Sequence, residues 1–170
     1  AKQPPQPKTK SSKQELIRAA NAFRKLVNEY PKHPRSDAAF FALAKTLARL
    51  GKPTAPDYYK QLIKKHPKSP LIPDAYLALG EYYFERGKVQ EALANYKKVM
   101  KHKKHAAYPY AIYKLGWAYY NLPQKSDAQA AKNLKKAVTA FKLVVKLSDK
   151  QKKKRRLDLR KEAIRDLIMV

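Results

Sequence analysis

The sequence predicts an all-α fold: a solenoid of about three stacked helix pairs with one additional helix at each end. Three observations carry that expectation. The 170-residue chain repeats itself every 36 residues, its apolar residues recur three and four apart, and glycine or proline punctuates the repeats in register.

A shift of 36 residues aligns Phe40, Tyr76 and Ile112, then Leu43, Leu79 and Leu115, then Leu47, Tyr83 and Tyr119. These columns are the expected core. A small residue stands beside them each time, at Ala44, Gly80 and Gly116, where two helices are expected to cross closely. Pro31 and Pro67, Pro34 and Pro70, and Pro73 and Pro109 also fall in register. Each unit then supplies a second helix, with inward triplets at Ala55/Tyr59/Leu62, Ala92/Tyr96/Val99 and Ala137/Phe141/Val144. Ala19, Phe23 and Leu26 repeat the triplet with no first helix before it, so the array is expected to open on a half repeat.

Boundary residues agree with this division. Ser12 to Glu15 and Ser126 to Gln129 read as capping boxes. Pro73 and Pro109 suit first helical positions, and Gly51 and Gly87 suit the turns between paired helices. The third unit departs: Pro123 replaces the glycine, and about nine extra residues imply a longer loop or an extended second helix. Residues 1–14 read as a disordered Pro/Lys-rich tether, 15–148 as the solenoid, and 149–170 as a basic linker and C-terminal helix. That last helix has an apolar stripe at Leu157, Ile164, Leu167 and Ile168. A solenoid needs a polar outer cap, so the expectation is an excised part of a longer repeat protein.

The pattern resembles the tetratricopeptide repeat. Leu79-Gly80, Tyr83, Gly87, Ala92 and Tyr96 occupy that family's signature columns, and the resemblance covers roughly residues 15–148. It implies a right-handed solenoid whose first helices line a concave ligand-binding face. The 36-residue period, with "YPKHP" and "HPKSP" between units, looks like the repeats of Gram-negative cell-envelope proteins. The resemblance also allows one known ligand mode to be tested. A chaperone-type carboxylate clamp would need Lys and Asn at the columns of Phe41 and Lys45, Asn at Ala78, and Lys and Arg at Tyr110 and Lys114; only Lys114 is similar in charge, so binding of an acidic chaperone tail in that manner is not expected.

Residues 108–122, "YPYAIYKLGWAYYNL", place six aromatic rings in fifteen residues, including the chain's single tryptophan. On a helix, Tyr110, Tyr113, Trp117 and Tyr120 form a face separate from the core columns. With the equivalent upstream positions, Phe41, Lys45, Leu77, Glu81 and Phe84, they outline an expected aromatic groove. Arg49 and Lys114 add cations to its rim, and Glu81 and Glu85 add an acidic pair. The plainer reading is that some of these rings pack on neighbouring helices. Four together favour an interface.

Composition narrows the function further. A formal net charge of +26 attracts acidic partners. Two lysine-rich runs concentrate it, at Lys101, Lys103 and Lys104 and at Lys152, Lys153, Lys154, Arg155 and Arg156. Their functional reading is contact with nucleic acid or an anionic surface; the plainer one is a solvated surface, favoured by the spread of lysine along the whole chain. Cysteine is absent, which excludes disulfides and thiol chemistry. His102 and His105 are a poor metal pair in cationic surroundings, so neither a metal nor a cofactor is expected. No nucleophile motif or phosphate loop appears, and no apolar run spans a bilayer. The expected function is therefore a non-catalytic scaffold or adaptor holding an acidic protein segment. Nucleic acid is the alternative partner. The expected location is the periplasm or envelope, with the cytoplasm as the alternative.

Overall fold

The computed structural model describes residues 10–150 and 159–169. They form eight helices: α1 Lys10–Glu29, α2 Ser36–Arg49, α3 Ala55–Lys65, α4 Ile72–Glu85, α5 Val89–Val99, α6 Tyr108–Tyr120, α7 Asp127–Lys150 and α8 Leu159–Met169. No strand occurs among the described residues. The predicted all-α helical-repeat class is the fold the chain adopts. The extra residues of the third unit lengthen its second helix, so α7 runs for 24 residues against 11 in α3 and α5. The chain divides into two compact units between Leu79 and Gly80, inside α4.

In the N-terminal unit, α1 packs on α2 and α2 on α3. Phe40, Leu43 and Leu47 of α2 and Ala55, Tyr59 and Leu62 of α3 are buried, as their spacing predicts. Gly51 makes the turn between these helices with φ of 68°, a left-handed conformation that costs other residues about 1–2 kcal/mol. Its N–H reaches the Ala48 carbonyl, and Lys52 N–H reaches back to Leu47. Together these bonds satisfy carbonyls at the end of α2.

The predicted register on α1 needs correcting. Ala20 and Val27 are buried, whereas Leu26 is 45% exposed and Ala19 and Phe23 are only half-buried. Helix α1 meets α2 with a face one residue round from the predicted one. The helix also begins at Lys10, ahead of the predicted boundary after Gln14, so Ser12 lies within it rather than capping it.

In the C-terminal unit the inward triplets Ala92/Tyr96/Val99 and Ala137/Phe141/Val144 are fully buried. Gly80 lies against the Tyr96 ring, and a Cβ on Gly116 would come within 2.7 Å of the Phe141 ring. Both small residues are thus required by close helix contact. Ile112, Ala140, Val144, Leu159 and Ala163 join α6, α7 and α8 in one apolar cluster. Leu115 and Tyr119, predicted to be core, are only half-buried. On α8 the buried residues are Leu159, Ala163 and Asp166, and Ile168, placed on the predicted stripe, is 83% exposed. Leu157 lies outside the described residues.

The connections between units have their own repeat. His33, Ser69 and His105 are spaced by 36, and each accepts the backbone N–H two residues on. The acceptors are His33 Nδ1 from Arg35, Ser69 Oγ from Leu71 and His105 Nδ1 from Ala107, each at 3.1 Å. These side chains hold a turn ahead of each first helix. His105 is half-buried in this structural role. At α7, Ser126 Oγ accepts from Gln129 N–H at 3.3 Å, the predicted cap.

Candidate partner-binding face

Helix α6 carries the candidate rings because Tyr110, Tyr113, Trp117 and Tyr120 share one face while Ile112 and Gly116 occupy the buried one. Tyr110 and Tyr113 stack with centroids 6.2 Å apart, and Trp117 meets Tyr120 edge to face at 5.7 Å. Tyr113 and Trp117 also rest on Phe141 of α7, at 5.8 and 5.7 Å. Phe141 thus joins the two pairs, and the four rings form a strip along one face of α6. Tyr120 is its open end, 42% exposed, and the other three are half-buried.

Acidic residues tie down the polar tips. Tyr110 donates from its hydroxyl to Glu81 Oε1 at 3.0 Å. Lys114 Nζ stands 4.0 Å from the same oxygen and 5.3 Å from the Tyr110 centroid. Burial pushes the Glu81 carboxyl above its usual range, against the opposing pull of Lys114 and the Tyr110 hydrogen bond. Farther along the strip, Tyr113 Oη and Trp117 Nε1 both donate to Asp166 Oδ2, at 2.8 and 3.1 Å. Asp166 itself is 2% exposed, and its other oxygen lies 3.6 Å from Arg165 Nε. Burial raises the Tyr110 and Tyr113 hydroxyls above their ordinary pKa, so both stay protonated as donors.

This arrangement revises the predicted groove. Tyr113 and Trp117 are not freely presented rings, because α8 covers their polar edges through Asp166. Asp166 is the residue that sequence reasoning missed. An acidic residue between apolar positions of a terminal helix, "RDLIM", was the available signal.

The remaining predicted site residues fall elsewhere. In the N-terminal unit, Phe41 packs edge-on against Tyr59 at 5.5 Å, Lys45 and Arg49 are exposed on α2, and Leu77 is half-buried on α4. Phe84, in the C-terminal unit, is half-buried near the end of α4. Lys101, Lys103 and Lys104 are exposed in the turn after α5. Lys152, Lys153, Lys154, Arg155 and Arg156 lie outside the described residues. Among the described residues no group of three or more His, Asp or Glu side chains is placed to hold a metal ion, and no helix is long and apolar enough to cross a membrane.

Comparison with known proteins bears on this geometry. Two tetratricopeptide-repeat family models match the chain, one over residues 53–112 and the other over 110–148. A search of curated proteins finds no significant match.

Proposed function

The chain belongs to the tetratricopeptide-repeat family, and from that premise we propose that it is an adaptor which binds an acidic, aromatic-bearing protein segment along the α6 strip. The family's repeats generally mediate protein–protein interaction and serve as non-catalytic scaffolds. The observation that carries the reading is the strip itself: four rings on one helix face, three of them anchored by their hydroxyl or indole donors to Glu81 and Asp166, with one open end at Tyr120. Rings already held in place lose little freedom on binding, which favours affinity. The net charge of +26 favours an acidic segment, while Lys114 beside the rings is already paired with Glu81. A bacterial envelope assembly is the proposed setting, and it rests on the style of the 36-residue period.

Trp117 is the only tryptophan, so its fluorescence reports on this face alone. Phage-displayed peptides selected on the full chain are expected to be acidic and aromatic and to shift Trp117 emission. Tyr120→Ala, at an exposed position, should weaken them by about 2 kcal/mol, the cost of removing an interface anchor. Peptides that bind without moving Trp117 emission and ignore Tyr120→Ala would remove the proposal. Tight binding of a single-stranded oligonucleotide, lost on changing Lys101, Lys103 and Lys104 to Gln, would instead establish polyanion binding.

A further inference from the structure

Between α6 and α7, away from the aromatic strip, lies a pocket of about 400 Å³. Its walls are Met100, Ile112, Leu115, Ala140 and Leu143, with Tyr119 toward one end. Lys132, Lys135 and Lys136 of α7 border it, and none of the lining residues is a carboxylate. Tyr119 focuses the charge further: Lys136 stands 5.1 Å from its ring centroid and Lys97 of α5 stands 5.7 Å away. Lys132, Lys135 and Lys136 lie in the first half of α7 and Thr139, Ala140 and Leu143 in the second, so the lysines border one end of a slot whose walls are apolar. Lys132 and Leu143 are eleven positions apart, roughly 16 Å of helix.

We propose that this pocket binds a single fatty-acid chain, its alkyl tail along Ile112, Leu115 and Leu143 and its carboxylate among the lysines. The volume falls near the lower end of the roughly 300–1,000 Å³ of small-molecule sites, room for one chain and not for a two-chain lipid. A peptide suits the slot less well. Its backbone would need hydrogen-bonding partners, and the helical walls already use their own N–H and C=O groups internally. A hydrocarbon tail needs none. An anionic head offsets a concentration of positive charge that otherwise repels itself.

The test is isothermal titration of the full chain with sodium laurate below its micelle-forming concentration, beside dodecyltrimethylammonium and monododecyl phosphate. Laurate should bind one per chain. It should perturb the methyl resonances of Met100, Ile112, Leu115 and Leu143 in the carbon–proton spectrum. Changing Lys132, Lys135 and Lys136 to Gln should weaken it roughly tenfold or more, the summed effect of three exposed charge contacts. Leu115→Phe, which fills the slot, should weaken it similarly with the helical circular dichroism retained. Equal binding of the cationic amphiphile, binding of dodecyl phosphate without laurate, or laurate binding that leaves those methyls unmoved would each overturn the proposal. Perturbation of the same methyls by an acidic peptide and not by laurate would also overturn it and transfer the pocket to a protein partner.

Discussion

The α2–α3 pair and the α6–α7 pair are built to one pattern, yet Leu43 and Leu47 of the first are buried while their counterparts in the second border a pocket. In the first, Gly51 turns the chain in a left-handed conformation, α3 is 11 residues long, and Leu43 and Leu47 are 0% and 3% exposed. In the second, the described connection has no residue of positive φ. Asn121 caps α6 instead, its side-chain amide donating to the Trp117 carbonyl at 2.8 Å. Helix α7 then runs for 24 residues, and Leu115 and Tyr119, equivalent to Leu43 and Leu47, are left half-buried beside the pocket. Leu43 and Leu115 are the same residue, whereas Tyr119 stands where the first pair has Leu47, and the second helix differs in length and in the turn that precedes it.

Five substitutions sharpen or break that comparison. The largest effect is expected from Gly116→Leu, because even a Cβ there would stand 2.7 Å from the Phe141 ring. Overpacking of a buried crossing costs about 1–3 kcal/mol, and the larger side chain places this change at the upper end. A urea midpoint equal to that of the parent would show that α6 and α7 do not cross closely at this point.

Next comes a matched pair at the core column. Leu43→Phe enters a fully closed core and should cost about 1–3 kcal/mol. Leu115→Phe enters the pocket and should be nearly neutral, with the added ring gaining buried apolar area at about 25 cal/mol per Å². Equal losses in thermal stability would mean that the two interiors are equally filled, and the contrast would fall. The smallest effect is expected at the turns. Gly51→Ala puts a Cβ on a residue with φ of 68° and should cost about 1 kcal/mol, although nothing within 4 Å obstructs it. Pro123→Ala, at the corresponding connection, should shift the midpoint by under about 0.5 kcal/mol. The reverse order would place the strained turn in the wrong unit.

Much of the repeat fold was legible because its causes are local and recur. The triplets of α3, α5 and α7 are buried as their spacing predicts, and Gly80 and Gly116 meet the aromatic rings of the following helices. His33, Ser69 and His105 recur at the same period and cap the same turn, but polar residues do not stand out in a comparison made on apolar columns. The register of α1 was misread for a related reason. Ile17, Ala19, Leu26 and the buried Ala20 and Val27 spread apolar character around the helix, so its position on α2 selects the buried side.

The aromatic strip shows the same division. Its rings are adjacent on one helix, and their spacing alone assembles Tyr110, Tyr113, Trp117 and Tyr120 on one face. Their polar partners are far away in the chain: Glu81 is 29 residues from Tyr110, and Asp166 is 49 from Trp117 and 53 from Tyr113. Glu81 falls in the predicted groove, but periodicity does not assign its bond to Tyr110, nor the reach of Asp166 across the insertion of the third unit. The sequence by itself determined the helices, their pairing, the close crossings at glycine and the strongly basic character, because each follows from residue type at short spacing. Only the tertiary structure decided that Asp166 fastens two of the rings and that Leu115 borders a pocket, because both depend on how whole helices pack against one another, which spacing along the chain does not set.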